Sequence, residues 1–172
     1  MRTVLAAAAA LLLLAAAAPA AAALAVGSPA PDFSTLGAQG GKATTIDVSQ
    51  LLKTVRWSSI FFPSAFANIA ELREFADNID KFHAAGVSVV GVSRDSIDTL
   101  TRLSIDICAG KFPVASADER LVNAFDVNDG AMFNTRTTYV IAPSGQIAFV
   151  HDDQDHGSHV KSTLAFIQTM KK

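Results

Sequence analysis

"VRWSSIFFPSAFANIAELREFADNIDKFHAAGVSVVGVS", residues 55–93, carries the pattern that decides the fold class. It opens on a β-favouring run that stops at Pro63, a residue without an amide proton to continue a ladder, so a strand is predicted there. Leu72, Phe75, Ala76, Ile79 and Phe82 then recur at spacings of three and four. Charged Glu71, Arg73, Glu74, Asp77, Asp80 and Lys81 fall between them, which is the periodicity of an amphipathic helix, closed here by Gly86. "VSVVGVS", residues 87–93, is short and rich in β-branched residues and reads as a second strand.

The alternation continues downstream. Ser96 begins a helical pattern through Ile97, Leu100, Leu103 or Ser104, and Ile107, and "KFPVAS" gives a third strand. "DERLVNAF" is a short helix opened by Asp118, and "RTTYVIAPSGQIAFVHD" folds as a hairpin around Pro143, Ser144 and Gly145. A last helix is expected from about Ser158, with Val160, Leu164, Ile167 and Met170 on one stripe and Lys171 and Lys172 at its negative dipole end. Upstream, "GSPAPDF" is an extended lead-in and "TTIDVSQLLK" a strand or turn running into one helical turn. The order predicts an α/β domain with a mixed central sheet flanked by helices on both faces.

At the N-terminus, Arg2 precedes an apolar, Ala-rich run that ends at Pro19 and the small residues Ala21, Ala22 and Ala23. This is the layout of an export signal, so residues 1–23 are expected to be removed, leaving one domain over 24–172 in the periplasm or secreted medium. The run is too short and too Ala-rich for a membrane span of ~20 apolar residues, and no membrane association is expected after cleavage. The chain has 14 basic and 16 acidic residues, a net charge of −2, and no basic stripe, which argues against nucleic-acid binding. Its one cysteine, Cys108, has no partner for an intramolecular disulfide, although exported proteins live where disulfides persist. Core packing must hold the fold.

"VGSPAPDF", "IFFPSAF", "VSVVGVS", "KFPVASAD" and "RTTYVIAPSGQI" stand in the order and spacing of the peroxiredoxins, specifically the group related to the bacterioferritin comigratory protein. The resemblance covers almost all of residues 26–172 and implies a thioredoxin-like sandwich. It also implies reduction of a hydroperoxide by a cysteine thiolate, with a thiol reductant as the second partner, no cofactor or metal, and a monomer or homodimer. In such proteins the cysteine sits in a Pro-x-x-x-Thr-x-x-Cys loop completed by an arginine from a later strand. A free thiol of pKa ~8.5 is only a few per cent ionised at neutral pH, so a helix N-terminus and a guanidinium serve to favour the thiolate. The threonine hydroxyl and the arginine also hold the peroxide oxygens in line for attack.

By this resemblance Pro63 matches the loop proline and Arg136 the arginine. Family members place a Glu ten residues after that proline and a Phe four beyond; Glu71 and Phe75 keep the second spacing, but Glu71 stands only eight after Pro63. Counting forward from Pro63, the Thr and Cys positions fall on Ala67 and Ala70; counting back from Glu71, they fall on Ala65 and Asn68. No register supplies a cysteine, so the first chemical step has no sulfur on which to occur.

Cys108 has three readings: a small, half-buried helix residue, a resolving-type thiol that pairs with another molecule, or, least favoured because no pattern places Arg136 beside it, a thiol that reduces peroxide directly. Arg136 is read either as a surface arginine at a strand end or as part of an anion- or peroxide-sized pocket. "HDDQDHGSH", residues 151–159, matches no zinc spacing and reads as a solvated acidic loop. His83 reads as a helix C-terminal residue facing the dipole. Two functions follow: an exported thiol peroxidase with impaired or lost activity, or a non-catalytic thioredoxin-fold binding protein.

Overall fold

A computed structural model of the chain describes residues 23–53, 56–61 (as backbone), 69–130 and 133–170. Within them the elements are β1 (Ser34–Gln39), β2 (Lys42–Asp47), α1 (Val48–Leu51), β3 (Arg56–Phe61), α2 (Ile69–Ala84), β4 (Val87–Ser93), α3 (Ile97–Asp106), β5 (Val114–Ser116), α4 (Glu119–Ala124), β6 (Thr137–Ile141), β7 (Ile147–Asp152) and α5 (His156–Thr169). The strands form one mixed sheet in the order β2-β1-β5-β4-β3-β6-β7. β4 runs parallel to both β3 and β5, and the outer pairings are antiparallel.

The period of two in the strands divides the core into two layers. Val87 and Val89 of β4 and Val114 of β5 face a cluster with Leu72, Phe75, Ile79 and Phe82 of α2, Leu100 and Leu103 of α3, and Val160 and Ile167 of α5. Val90 and Val92 of β4, Ala115, Tyr139 and Ile141 face the other way, against Val48 of α1 and Leu121 and Val122 of α4. The expected mixed sheet covered on both faces is the one observed, and the apolar face expected for α2 is fully buried along its length.

β1 has no counterpart in the sequence reading, because "STLGAQ" lacks the β-branched density that marks a strand. Its place is set by tertiary fit. A Cβ on Gly37 would lie 2.6 Å from the carbonyl oxygen of Val114, so only glycine lets β1 approach β5 there. Gly40 and Gly41, at φ 55° and 77°, supply the two positive-φ positions of the tight turn into β2.

α5 starts at His156, two residues before the expected Ser158, because the Asp155 side chain accepts from the Gly157 amide and caps it. Its buried face also differs from the expected apolar stripe. His159, Val160, Thr163 and Ile167 are buried, while Leu164 and Met170 are only partly so. Lys171 and Lys172 lie outside the described residues.

Candidate functional site

The backbone register brings the site together. Phe61, the last residue of β3, pairs with Thr137, the first of β6, so Arg136 stands beside the point where β3 leads into residues 62–68. The chain is next described at Ile69, where α2 begins, and Glu71 is in its first turn. Arg94, just past the end of β4, donates from Nε to Asn134 Oδ1 at 2.9 Å and from Nη2 to Asn128 Oδ1 at 3.2 Å. These bonds tie the segment preceding Arg136 to the C-terminal end of the central strands.

Arg136 and Glu71 form an ion pair between Nη1 and Oε2. The Glu71 side chain is wholly buried and that of Arg136 is 11% exposed. The sequence reading placed Glu71 among the charged residues of the outer helix face; packing turns its first-turn position inward, and Arg136 supplies the counter-charge that burial demands. Glu71 Oε1 and Arg136 Nε have no hydrogen-bond partner among the described residues. Burial pushes the Glu71 carboxyl up to about 7, outweighing the opposing pull of Arg136, and Glu74 adds a smaller push in the same direction.

On the other side of Glu71 lies His159 of α5, also wholly buried, with Nδ1 3.9 Å from Glu71 Oε1. Its Nε2 is 2.8 Å from the carbonyl oxygen of Asp153, which can only accept, so Nε2 carries the proton. Nδ1 is 2.8 Å from the buried Thr138 hydroxyl. Burial holds the imidazole below its ordinary pKa, which makes it neutral and Nδ1 the acceptor from Thr138. His159 therefore offers Glu71 no charge.

Pro63, Ala65, Ala67 and Asn68 lie outside the described residues. Ala70 is exposed in the first turn of α2 and Ile69 is half-buried. Cys108 is wholly buried in the cluster of Leu72, Phe75, Leu100 and Phe112, and burial pushes its thiol up to about 12. It stands in the turn after α3 and is fully enclosed, where a half-buried position on the helix was expected; a resolving-type thiol must reach a second sulfur, which this burial opposes. Residues 151–159 are not simply a solvated loop, since His151 Nε2 meets Ser158 Oγ at 2.7 Å and His159 is in the core. Among the described residues no group of His, Cys, Asp and Glu is disposed to hold a metal. His83 is exposed in the last turn of α2.

A cavity of about 500 Å³ among the described residues lies elsewhere, lined by Asp32, Asp47, Asp118 and Arg120. A more apolar groove of about 330 Å³ beside Ile69 runs along α3 at Leu103 and Ile107. Neither is lined by Arg136, so the chemistry-bearing cluster is the buried Glu71, Arg136, Thr138 and His159. Sequence reading found Arg136 and noted Glu71 by spacing, but missed Thr138 and His159; the one signal for His159 is its place beside Val160 on the inward face of α5.

The AhpC/TSA family profile matches residues 26–150. Peroxiredoxin Bcp of Xanthomonas campestris pv. campestris is 28% identical over 159 residues, covering 84% of this chain and 94% of that protein. Among solved structures, peroxidoxin BcpB from Mycobacterium tuberculosis superposes with a TM-score of 0.78 at 22% identity, over 86% of this chain and 98% of that one. Mycobacterium tuberculosis AhpC gives 0.76 at 22% identity, over 88% and 100%. The chain thus belongs to the AhpC/TSA family, the peroxiredoxins, whose activity is thiol-dependent reduction of peroxides.

Proposed function

We propose that this protein is an exported peroxiredoxin whose peroxide reduction is impaired or lost, and that it keeps Arg136 as a guanidinium able to receive a small anion or hydroperoxide. The observation that carries this reading is the burial of Cys108, the chain's one cysteine. With its thiol pushed up to about 12, about one molecule in 10⁵ carries a thiolate at neutral pH, against a few per cent for a free cysteine. Neither the alanines nor the asparagine at the alternative loop positions can form a sulfenic acid.

Export rests on the pattern of residues 1–23. Among the described residues no helix is long and apolar enough to cross a membrane. The mature domain acts as a monomer or homodimer, with hydroperoxide as its ligand.

The test is peroxide consumption with a small dithiol as reductant, comparing the wild-type protein with Cys108→Ser. The expected result is the same background rate for both. A wild-type rate about tenfold or more above the variant overturns the reading of lost activity. An intact mass from an envelope or medium fraction that begins at Leu24 supports export; a mass that retains residues 1–23 opposes it.

A further inference from the structure

We propose that His159 is a positioning residue that acts on Arg136 through Glu71: it withholds an N–H from Glu71 Oε1, so uptake of one proton by Glu71 releases the Arg136 guanidinium from its acidic partner. The proposal rests, for the use of that guanidinium, on the anion-receiving role given to Arg136 above.

Three contacts fix the geometry. The Asp153 carbonyl takes the Nε2 proton of His159 and the Thr138 hydroxyl donates to Nδ1, each at 2.8 Å, so the tautomer is held from both sides. Nδ1, its lone pair engaged by Thr138, lies 3.9 Å from Glu71 Oε1 and has no N–H to give it. The opposite oxygen, Oε2, is committed to Arg136. In the ionised state the carboxylate is held by Arg136 on one side and left without a donor, among the described residues, on the other.

Protonation of Oε1 removes the charge from a side chain that is wholly buried. It also turns the strong ionic bond at Oε2 into a bond to a neutral carboxyl group, which is weaker. No bond other than the O–H is made, and the proton comes from solvent. The raised carboxyl, at about 7, and the neutral imidazole fit this arrangement.

On α2, Glu74 opposes ionisation of Glu71; from the start of β6, Arg136 favours it. Around His159, His151 and Arg136 oppose a positive imidazole, while Asp153 favours one. His156 and Asp155 at the start of α5 act on Glu74 in opposite senses. None of these places a donor on Glu71 Oε1.

The experiment is an NMR titration of the folded protein, following the Glu71 side-chain carbon, the His159 ring nitrogens and Arg136 Nε. His159 is expected to be in the neutral Nε2–H form at about pH 7 and above, while the Glu71 carbon and Arg136 Nε move together with one midpoint. His159→Asn, whose amide can turn an N–H toward Oε1, is expected to lower that midpoint by about one unit or more. A proton on His159 Nδ1 of the wild-type protein in that range overturns the proposal whether or not the variant folds. So does an Arg136 signal indifferent to the Glu71 titration, or an unmoved midpoint in a folded His159→Asn.

Sulfate, whose charge is constant over this range, separates the two readings. It is expected to shift Arg136 Nε at about tenfold lower concentration at the acid end than at the alkaline end. Equal affinity at both ends overturns the release of Arg136. Absence of any sulfate effect overturns the anion-receiving role alone, since the NMR midpoints decide the linkage between His159, Glu71 and Arg136 independently.

Discussion

Cys108 and Glu71 are both wholly shielded from solvent, and α2 lines the surroundings of each, yet burial has opposite consequences for them. Cys108 belongs to the apolar cluster that includes Leu72, Phe75, Leu100 and Phe112, and its thiol is driven far from ionisation. Around Glu71 the neighbours are Arg136 and His159, and the carboxyl is brought close to neutral pH. The contrast shows that depth alone does not make a group reactive. An apolar surround silences a titratable group, whereas a surround with one fixed charge and one imidazole that offers no N–H leaves it balanced between two states.

The most severe way to break the comparison is to remove the charge partner. Arg136→Met strands Glu71 as a buried carboxylate and is expected to lower stability by ~3–5 kcal/mol at pH 8, read by urea denaturation. At pH 5, where Glu71 is protonated, the loss should shrink to the packing difference. An equal loss at both pH values would mean that the ion pair is not what the substitution breaks.

The polar region should also write its pH dependence into stability, with opposing limbs. Glu71 has a folded pKa of about 7, above its ordinary 4.5, so between those values the folded state holds more protons. Stability falls as pH rises through that window, by on the order of 3 kcal/mol at most, and the cost is fully present above about 7. His159 is depressed below 6.5, so the unfolded chain takes up its proton first and stability falls as pH drops below 6.5. Glu71→Gln should flatten the alkaline limb and His159→Asn the acid limb, each measured as the urea midpoint against pH.

On the apolar side, Cys108→Ser places a hydroxyl where its neighbours are hydrocarbon and is expected to cost ~1–3 kcal/mol. In the folded wild-type protein a thiol reagent should label Cys108 only at the rate at which the structure opens, and as fast as a model thiol in denaturant. Rapid labelling under native conditions would erase the contrast with Glu71. The smallest effect is expected outside both regions, at Asp118, whose side chain accepts from the Leu121 amide at 2.8 Å and caps α4. Asp118→Ala should cost ~1 kcal/mol in the same denaturation assay, with no change in either titration.

Much of the fold was legible because its signals are local. The α2 stripe, the valines of β4, the Asp118 cap and the hairpin residues of 136–152 each declare an element within a few positions. β1 was not legible, since its place depends on Gly37 fitting under Val114, a residue 77 positions away in the chain. The site divides in the same manner. Arg136 carried a motif, but Glu71 looked like one more charge on an amphipathic helix, and His159 and Thr138 looked like ordinary polar residues.

By itself the sequence determined the strand and helix order from β3 onward, the family, and the absence of a cysteine from the loop that should bear one, because composition and spacing are properties of the chain alone. Only the tertiary structure decided that Cys108 is enclosed, that Glu71 turns inward to Arg136, and that His159 meets both Thr138 and the neighbourhood of Glu71. The physical reason is that burial and pairing are made by residues distant in sequence. Arg136 lies 65 positions from Glu71, and no local pattern encodes which charge will end beside which.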